Sequence, residues 1–348
     1  MTAPISIIIP AFNQLDYCRQ CLTSVLANTR RPCKLILVDN GSTDGVSQYF
    51  DTVPHADVVH SPTNRGFAAG VNLGLERAEG HVVLLNSDTL TPEGWLGRLE
   101  RALLSAEDVA MVGPMSNCVS GSQQIDGLSL ASIDEIDAFA RHLAQERRGQ
   151  LRDVARLVGF CLMIRDRVVR ELGPFDEAYG VGNFEDDDYC LRALRAGYRL
   201  CVAEDAFVFH YGGRTFAGMG LTDEKWQGLI DQNERRFFDK WHAAPAERSD
   251  AAQEAKRLNT QARRAIERGD LVEAMAALTR AIEAYPPLEA NHNDLGAVLW
   301  QMGEHERAFE CFVRAVKLNP AYAEARDNLR EAAQTLGRIE DVDSLLRE

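Results

Sequence analysis

Carboxylates are the conspicuous chemistry of this chain. Asp88 closes Val82-Val83-Leu84-Leu85-Asn86-Ser87-Asp88-Thr89, Asp39 follows Lys34-Leu35-Ile36-Leu37-Val38, and Glu185-Asp186-Asp187-Asp188 stand in a row before Tyr189-Cys190-Leu191. A short apolar run with a polar end reads as a buried strand of a parallel sheet. That places Asp88 at the strand's carboxyl end, where open α/β sheets take their ligands. A carboxylate there suits a hard divalent cation, which can in turn hold a diphosphate. A strand followed by an Asx turn and a helix cap accounts for the octapeptide alone equally well. Four carboxylates at a helix start complement the positive end of its dipole. A surface helix rarely needs four, however, and carboxylates buried together raise at least one pKa. His210, after Phe207-Val208-Phe209, reads by itself as a packed or hydrogen-bonded histidine rather than a ligand.

Strands and turns must carry these groups to one edge. Ile5-Ser6-Ile7-Ile8-Ile9 is β-branched and nearly continuous, as a strand buried on both faces should be, and Pro10 is expected to stop it before the loop Ala11-Phe12-Asn13. A helix from Asp16 to Ala27 carries Cys18, Cys21, Leu22, Val25 and Leu26, and the strand Lys34 to Val38 then completes a right-handed βαβ unit. Asp39 therefore falls on the same edge as Asp88. A third strand, Asp57 to His60, leads to Asn64-Arg65-Gly66-Phe67-Ala68-Ala69-Gly70-Val71-Asn72-Leu73-Gly74. Its small residues permit close approach, either of a helix to the sheet or of a phosphate to a helix N-terminus.

Thr91-Pro92-Glu93 predicts an N-cap with proline at the first helical position and a helix through Leu96, Leu99 and Leu103. Ala110 to Pro114 is a strand, Ile133 to Leu143 an amphipathic helix, and Ala155 to Ile164 a strand holding Gly159-Phe160-Cys161. Leu172 to Asp176 is a turn. Leu200 to Ala203 and Phe207 to Phe209 are short strands that end in His210-Tyr211-Gly212-Gly213. A helix from Lys225 to Trp241 bears Trp226, Leu229, Ile230, Phe237, Phe238 and Trp241. Its polar face is mixed in charge, so the aromatic stripe is expected to dock on the preceding domain rather than on a membrane.

At 348 residues, two domains are expected, and 45% hydrophobic with 26% charged residues describes an ordinary globular protein. A net charge of -14 argues against binding nucleic acid through the overall field. No apolar run reaches the roughly 18 residues that span a bilayer, and Met1 to Phe12 lacks the basic start of a signal peptide. Eight cysteines without regular spacing fit a reducing cytoplasm. Cys18 and Cys21 read as core, because no second pair follows at a metal-binding spacing.

Toward the C-terminus the chain repeats itself. Leu258, Ala262, Ala265, Gly269, Ala274, Leu278, Ala281 and Pro286 are matched by His292, Gly296, Leu299, Gly303, Ala308, Phe312, Ala315 and Pro320, each 34 residues later. The frame continues through Arg326, Arg330, Ala333, Gly337, Val342 and Leu346. This resembles the tetratricopeptide repeat, a pair of antiparallel helices with small residues at the close contacts. Arg330 at a small-residue position marks the third unit as a cap rather than a regular repeat.

The order of the Asp39 loop, the glycine-rich Asn64 to Gly74, Asn86-Ser87-Asp88, Gly159-Phe160, Glu185 to Asp188 and His210 resembles the family 2 inverting glycosyltransferases of GT-A fold, over about residues 3 to 215. With the 34-residue repeat and the Pro245-bearing stretch Ala243 to Ser249, this gives an expected GT-A α/β domain at 1–242, a linker at 243–253 and an all-α repeat domain at 254–348. The resemblance implies a nucleotide-sugar site at Pro10, Ala11, Phe12, Asp39, Arg65, Gly66, Asn72, Asn86, Ser87 and Asp88. A divalent cation, Mg2+ or Mn2+, would sit on Asp88 and His210. The base falls on Asp186 by the family's Glu-Asp-x-Asp pattern, with Glu185 and Asp187 as adjacent rivals. Such a base removes the acceptor hydroxyl's proton as the oxygen attacks the anomeric carbon. Asn86 stands where many relatives have a second aspartate, which implies a weaker metal site or more reliance on His210. It also keeps dTDP-sugars open as donors beside UDP-sugars.

The implied partners are a nucleotide-diphosphate sugar, a glycan or protein acceptor, and a protein bound by the repeats, with no nucleic acid and homo-oligomers left open. The implied location is the cytoplasm, including the inner face of its membrane. Two other classes stay in view, a catalytically silent nucleotide-sugar-binding scaffold and a nucleotidyltransferase. The intact Glu185 to Asp188 run argues against the first. Against the second stands Pro10-Ala11-Phe12-Asn13, where a basic glycine-rich loop would be expected.

Overall fold

The computed structural model of the chain describes residues 4–125, 127–212, 223–242, 250–319, 322–339 and 342. Residues up to Phe237 form one compact unit and those from Phe238 a second. In the first, β1 (Ile5–Ala11), α1 (Leu15–Asn28), β2 (Lys34–Asp39), α2 (Val46–Asp51), β3 (Ala56–His60) and α3 (Phe67–Leu75) are followed by β4 (His81–Leu85), β5 (Thr89–Leu90), α4 (Trp95–Leu103) and β6 (Val109–Met115). Then come α5 (Ile133–Glu146), β7 (Leu151–Val154), β8 (Cys161–Ile164), α6 (Asp166–Leu172), α7 (Glu185–Arg195), β9 (Arg199–Phe207), β10 (Phe209–His210) and α8 (Asp223–His242), whose last five residues belong to the second unit. Eight strands make one mixed sheet in the order β3-β2-β1-β4-β8-β6-β9-β7. The pairs β1 with β2, β2 with β3, β1 with β4 and β6 with β9 are parallel, whereas β8 runs antiparallel between β4 and β6.

The period-2 geometry of a strand explains the continuous isoleucine run. Ile5, Ile7 and Ile9 pack with Cys18, Cys21, Leu22, Val25, Trp95 and Leu99 on one face of the sheet. Ile8, Ile36 and Val38 pack with Ala68, Val71, Tyr189 and Phe175 on the other. Each fully buried isoleucine contributes on the order of 1.5–3 kcal/mol, so both helical layers are held strongly against the edge-forming strands. Cys18 and Cys21 are core residues, whereas Leu26 is exposed.

Three expectations need correction, and one helix was not anticipated. Pro10 lies inside β1, paired with Val38, because β1 keeps β4 as a partner only through Ile8 and continues along β2 alone. The helix after Asp88 starts at Trp95 behind Gly94, not at Thr91-Pro92. Thr91 is held extended because its N–H donates to Ser24 Oγ at 3.0 Å and its carbonyl accepts from Asn28 Nδ2 at 2.7 Å. Ala155 to Phe160 is a loop between β7 and β8 rather than strand. Helix α6 occupies residues the sequence reading passed over.

The second unit holds α9 (Asp250–Glu267), α10 (Leu271–Ala284), α11 (Glu289–Gln301), α12 (His305–Leu318) and α13 (Ala323–Leu336). The repeat frame does what small residues allow: Ala262, Ala265, Ala274 and Ala281 are fully buried, and a Cβ on Gly296 would collide with the Phe312 ring. Arg330 is exposed and pairs with Asp327. Helix α9 begins at Asp250, so the last four residues of the expected linker are helical. Ala243 to Ser249, Pro320, Leu346 and Gly213 lie outside the described residues.

Candidate active site

The carboxyl ends of β1, β2 and β4 open on one edge, because all three run parallel. Asp39 ends β2 and is 3% exposed. Its Oδ1 accepts from the Ser42 N–H at 2.9 Å, and its Oδ2 lies 3.3 Å from His60 Nδ1. His60 also reaches Ser47 Oγ at 3.0 Å and, through Nε2, Asp51 at 3.0 Å. Burial alone would lower the His60 pKa, but the carboxylates of Asp51 and Asp39 raise it on balance. The loop after β1 is stitched to this one, since Asn13 Oδ1 accepts from the Thr43 N–H at 2.8 Å. Asn13 and Gln14 take left-handed backbone to do so.

Asn40, next along, fixes the glycine-rich segment. Its Nδ2 donates to Asn64 Oδ1 at 3.1 Å and to the Gly66 carbonyl at 2.9 Å, and its Oδ1 accepts from the Arg65 N–H at 3.1 Å. Gly66 has φ +89, and a Cβ there would run into the Gly180 carbonyl. A Cβ on Gly74 would strike Ile8, so that glycine serves helix-to-sheet packing. Asn72 spends its amide on the Phe175 backbone (2.9 and 2.8 Å) and on Glu177 Oε1 (3.0 Å). Arg65 likewise pairs with Glu177 at 3.3 Å. These two expected nucleotide residues join the 64–74 segment to the 175–181 loop.

Asp88, 2% exposed, follows β4, and Ser87 is buried beside it. The antiparallel pairing of β10 with β5 sets His210 opposite Thr89, and the Tyr211 N–H donates to the Asp88 carbonyl at 3.0 Å. His210 Nε2 consequently lies 3.3 Å from Asp88 Oδ1. Its Nδ1 is 2.7 Å from the Cys118 carbonyl, an acceptor, so Nδ1 carries the proton in the neutral ring. Nε2 then turns a lone pair toward a carboxylate oxygen, an arrangement that calls for a proton or a cation between them. Burial lowers the His210 pKa, yet Asp88 and the Cys118 carbonyl raise it overall. Asn86 Oδ1, on the same turn, is buried without a hydrogen-bond partner among the described residues. Asp88, His210 and the Asn86 amide oxygen are donors of the kind that would hold a divalent cation. No cluster of three or more His, Cys, Asp or Glu side chains suited to a metal occurs among the described residues.

The remaining carboxylates arrive through one turn. Phe160 stacks on the His210 ring at 5.2 Å, its carbonyl accepts from the Asn86 N–H at 2.8 Å, and the N–H of the adjacent Gly159 donates to Asp186 Oδ2 at 2.7 Å. The structure thereby sorts the acidic run. Asp188 is fully buried, bonded to Arg192 Nε at 3.1 Å and to the Tyr179 hydroxyl at 3.4 Å, and is a packing residue. Asp187 pairs with Arg156 Nε at 2.5 Å. Asp186 is anchored beside Gly159, and its other oxygen accepts from the Asp187 N–H at 3.0 Å. Glu185 is buried, its Oε2 has no hydrogen-bond partner among the described residues, and burial together with Asp186 pushes its pKa well above the usual carboxylate range.

Arg156 and His60 were not singled out from the sequence. Only the turn at Gly159-Phe160 carried a signal there, and it was read as strand interior. Pro10, Ala11 and Phe12 line the same edge at the end of β1.

Residues 3–238 match the family model described as glycosyltransferase like family 2, and residues 290–322 match the tetratricopeptide repeat. The chain is 29% identical to the glycosyltransferase AglE of Haloferax volcanii over 213 residues, 59% of this chain and 66% of AglE. It is 24% identical over 237 residues to the N-acetylglucosaminyl-diphospho-decaprenol L-rhamnosyltransferase of Mycobacterium tuberculosis, 61% of this chain and 77% of that one. Among solved structures it is similar to GalNAc-T7 with UDP, GalNAc and Mn2+, at a TM-score of 0.49 and 15% identity, covering 60% of this chain and 43% of that chain. The chain therefore spans less than two thirds of the length of AglE.

Proposed function

From its membership of the glycosyltransferase-like family 2, to which this chain belongs through residues 3–238, we propose that it transfers a sugar from a nucleotide-diphosphate donor to a hydroxyl acceptor with inversion at the anomeric carbon. The fold is α/β of the GT-A kind, followed by an all-α region with a tetratricopeptide repeat. The observation that carries the reading is the turn at Gly159-Phe160, which joins Asp186 to the Asp88 and His210 pair at one sheet edge.

In this reading Asp39, steadied by His60 and the Ser42 N–H, receives the nucleobase, and the edge formed by Pro10, Ala11, Phe12, Asn86 and Ser87 receives the rest of the nucleotide. Asp88 and His210 hold a divalent cation, Mg2+ or Mn2+, which neutralises the leaving diphosphate when bound. Asp186 accepts the acceptor hydroxyl's proton as that oxygen attacks and the sugar-phosphate bond breaks, so no covalent sugar-enzyme intermediate forms. Arg156 neutralises Asp187, and Glu185 favours its protonated form. Both features support Asp186 as the base among the three. Asn86, in place of a second aspartate, keeps dTDP-sugars beside UDP-sugars as donor candidates, and the acceptor is a glycan or a protein. The repeats bind that protein acceptor or an assembly partner, since stacked helix pairs offer a surface without chemistry of its own. No helix among the described residues is long and apolar enough to cross a membrane. Eight free cysteines support a reducing cytoplasm as the site of action.

The test is a panel of UDP-, dTDP- and GDP-sugars with Mn2+, read both as nucleoside diphosphate released and as protection against thermal unfolding. One nucleotide class should be turned over and should protect. Neither release nor protection with any member would overturn the reading.

A further inference from the structure

The segment that launches α7 is held in an expensive conformation. Gly180 and Gly182 have positive φ, and Asn183 and Phe184, which have side chains, both sit at φ 73. Left-handed backbone is costly for a residue with a side chain, and it persists only where surrounding contacts enforce it. Phe184 is the residue before Glu185, with no side-chain cap to the helix it starts. Whatever holds this backbone therefore sets the direction in which Glu185 and Asp186 leave it.

The contacts that hold it come from α8. Asn233, 3% exposed, directs its Nδ2 at three backbone carbonyls of the segment: Tyr179 at 2.7 Å, Gly182 at 2.9 Å and Asn183 at 3.2 Å. The orientation of that amide is fixed in turn, since its Oδ1 accepts from Arg236 Nη1 at 3.2 Å. Arg236 also donates to the Ala178 carbonyl. One turn on from Asn233, the buried Phe237 sets its ring 5.7 Å from that of Phe184. Positions 233, 236 and 237 share one helix face, so a single surface of α8 addresses the loop's backbone and its ring.

We propose that Asn233 is a positioning residue for the transfer: by gathering the carbonyls of Tyr179, Gly182 and Asn183 it enforces the left-handed turn at Asn183 and Phe184 and so aims Asp186. The inference rests on Asp186 being the base. An amide is suited to the task, because its two N–H groups donate to carbonyls that a carboxylate would repel and an alkyl group would leave unsatisfied. Without it the strained pair relaxes, and a base displaced by about 1 Å loses on the order of 10²-fold in rate.

The experiment compares wild type with Asn233→Ala and Asn233→Asp. Three readouts are taken: amide hydrogen exchange over residues 179–187, steady-state release of nucleoside diphosphate from the nucleotide sugar that wild type turns over, and calorimetric titration with UDP and dTDP. Both variants should exchange faster across 180–186 and lose roughly 10- to 100-fold in kcat, with nucleotide affinity within about twofold. Val25→Ala, on the buried face of α1, supplies a destabilised control that should keep its kcat. Phe237→Leu is a milder second variant should Asn233→Ala fail to fold, with the same signature at smaller size. Unchanged exchange in the folded variants overturns the inference, and so does faster exchange with normal kcat. Asp186→Asn is assayed in parallel. Full turnover there would sink the assignment of the base, while the exchange measurement would still report whether Asn233 holds the loop.

Discussion

His210 Nε2 stands 3.3 Å from Asp88 Oδ1 because two strands of two residues each, β5 and β10, pair antiparallel. Register rather than sequence proximity makes the pair, and the Nδ1 contact to the Cys118 carbonyl turns the open ring nitrogen inward. Removing either side chain should therefore weaken cation binding without unfolding the sheet. Asp88→Ala and His210→Ala should each reduce Mn2+ affinity by at least about 10-fold, and turnover by more in Asp88→Ala. Manganese titration followed by electron paramagnetic resonance checks the first, and assays in excess chelator the second. Full turnover of wild type in chelator would rule out the metal role.

Asp186→Asn should lower turnover by roughly 10²- to 10⁴-fold while donor affinity is little changed, since the amide keeps the shape and loses the basicity. Asp187→Asn should cost less, because that carboxylate is already committed to Arg156. A collapse in Asp187→Asn beside near-normal Asp186→Asn would move the base by one residue.

Glu185 is buried beside Asp186, and both effects push its pKa up. A carboxyl whose folded pKa exceeds its unfolded one contributes stability below the unfolded value and loses it as pH rises through the folded value. At pH 7.5 the Glu185→Gln protein should therefore melt above wild type, by about 2–4 °C for each kcal/mol relieved, with the gap closing toward pH 4. An equal or lower melting temperature at pH 7.5 would contradict the burial argument.

His292, buried in α11 with Nε2 2.8 Å from the Pro286 carbonyl, has its pKa lowered by burial from 6.5 to about 4. Here the sign is the opposite: the unfolded chain takes up the proton first, so stability is full above pH 6.5 and is lost as pH falls toward 4. The loss should approach about 3 kcal/mol and then level off. Helical circular dichroism of the full chain, melted at intervals from pH 7.5 to 4, should show the decline, and His292→Gln should flatten it. Parallel curves for the two proteins would remove His292 as the cause.

A chain ending at His242 should release nucleoside diphosphate normally with a small acceptor but act poorly on the natural one. Equal rates on the natural acceptor would make the repeats structural rather than recruiting.

The sheet was legible in the sequence because its strands report their own burial. Ile5 to Ile9 and Val82 to Leu85 lie between two helical layers, and nothing but a two-faced core selects such runs. The repeat was legible through period, since Ala262 and Gly296 meet the same steric demand in successive units. What stayed hidden depends on contacts remote in the chain. Thr91 looked like a cap until Ser24 and Asn28 claimed its backbone. Asn72 looked like part of a phosphate loop, yet Phe175 and Glu177 take its amide. Within the acidic run the residue types are almost equivalent, and only Arg156, Gly159 and Arg192 tell the four apart.

Gly66 presses its backbone on Gly180 with no space for a side chain, and Arg65 and Asn72 tie the same two stretches together through Glu177. One stretch borders the nucleotide edge and the other leads into the turn that aims Asp186. Ordering the first therefore removes freedom from the second, and the entropy lost on filling one substrate's place is not lost again for the other. In the proposed transfer, seating either substrate should therefore ease the binding of the other. Because coupling between two bound ligands is reciprocal, a seated acceptor also tightens the hold on the donor. The contact of Gly66 with Gly180 would then serve as the physical link between the two substrates' places.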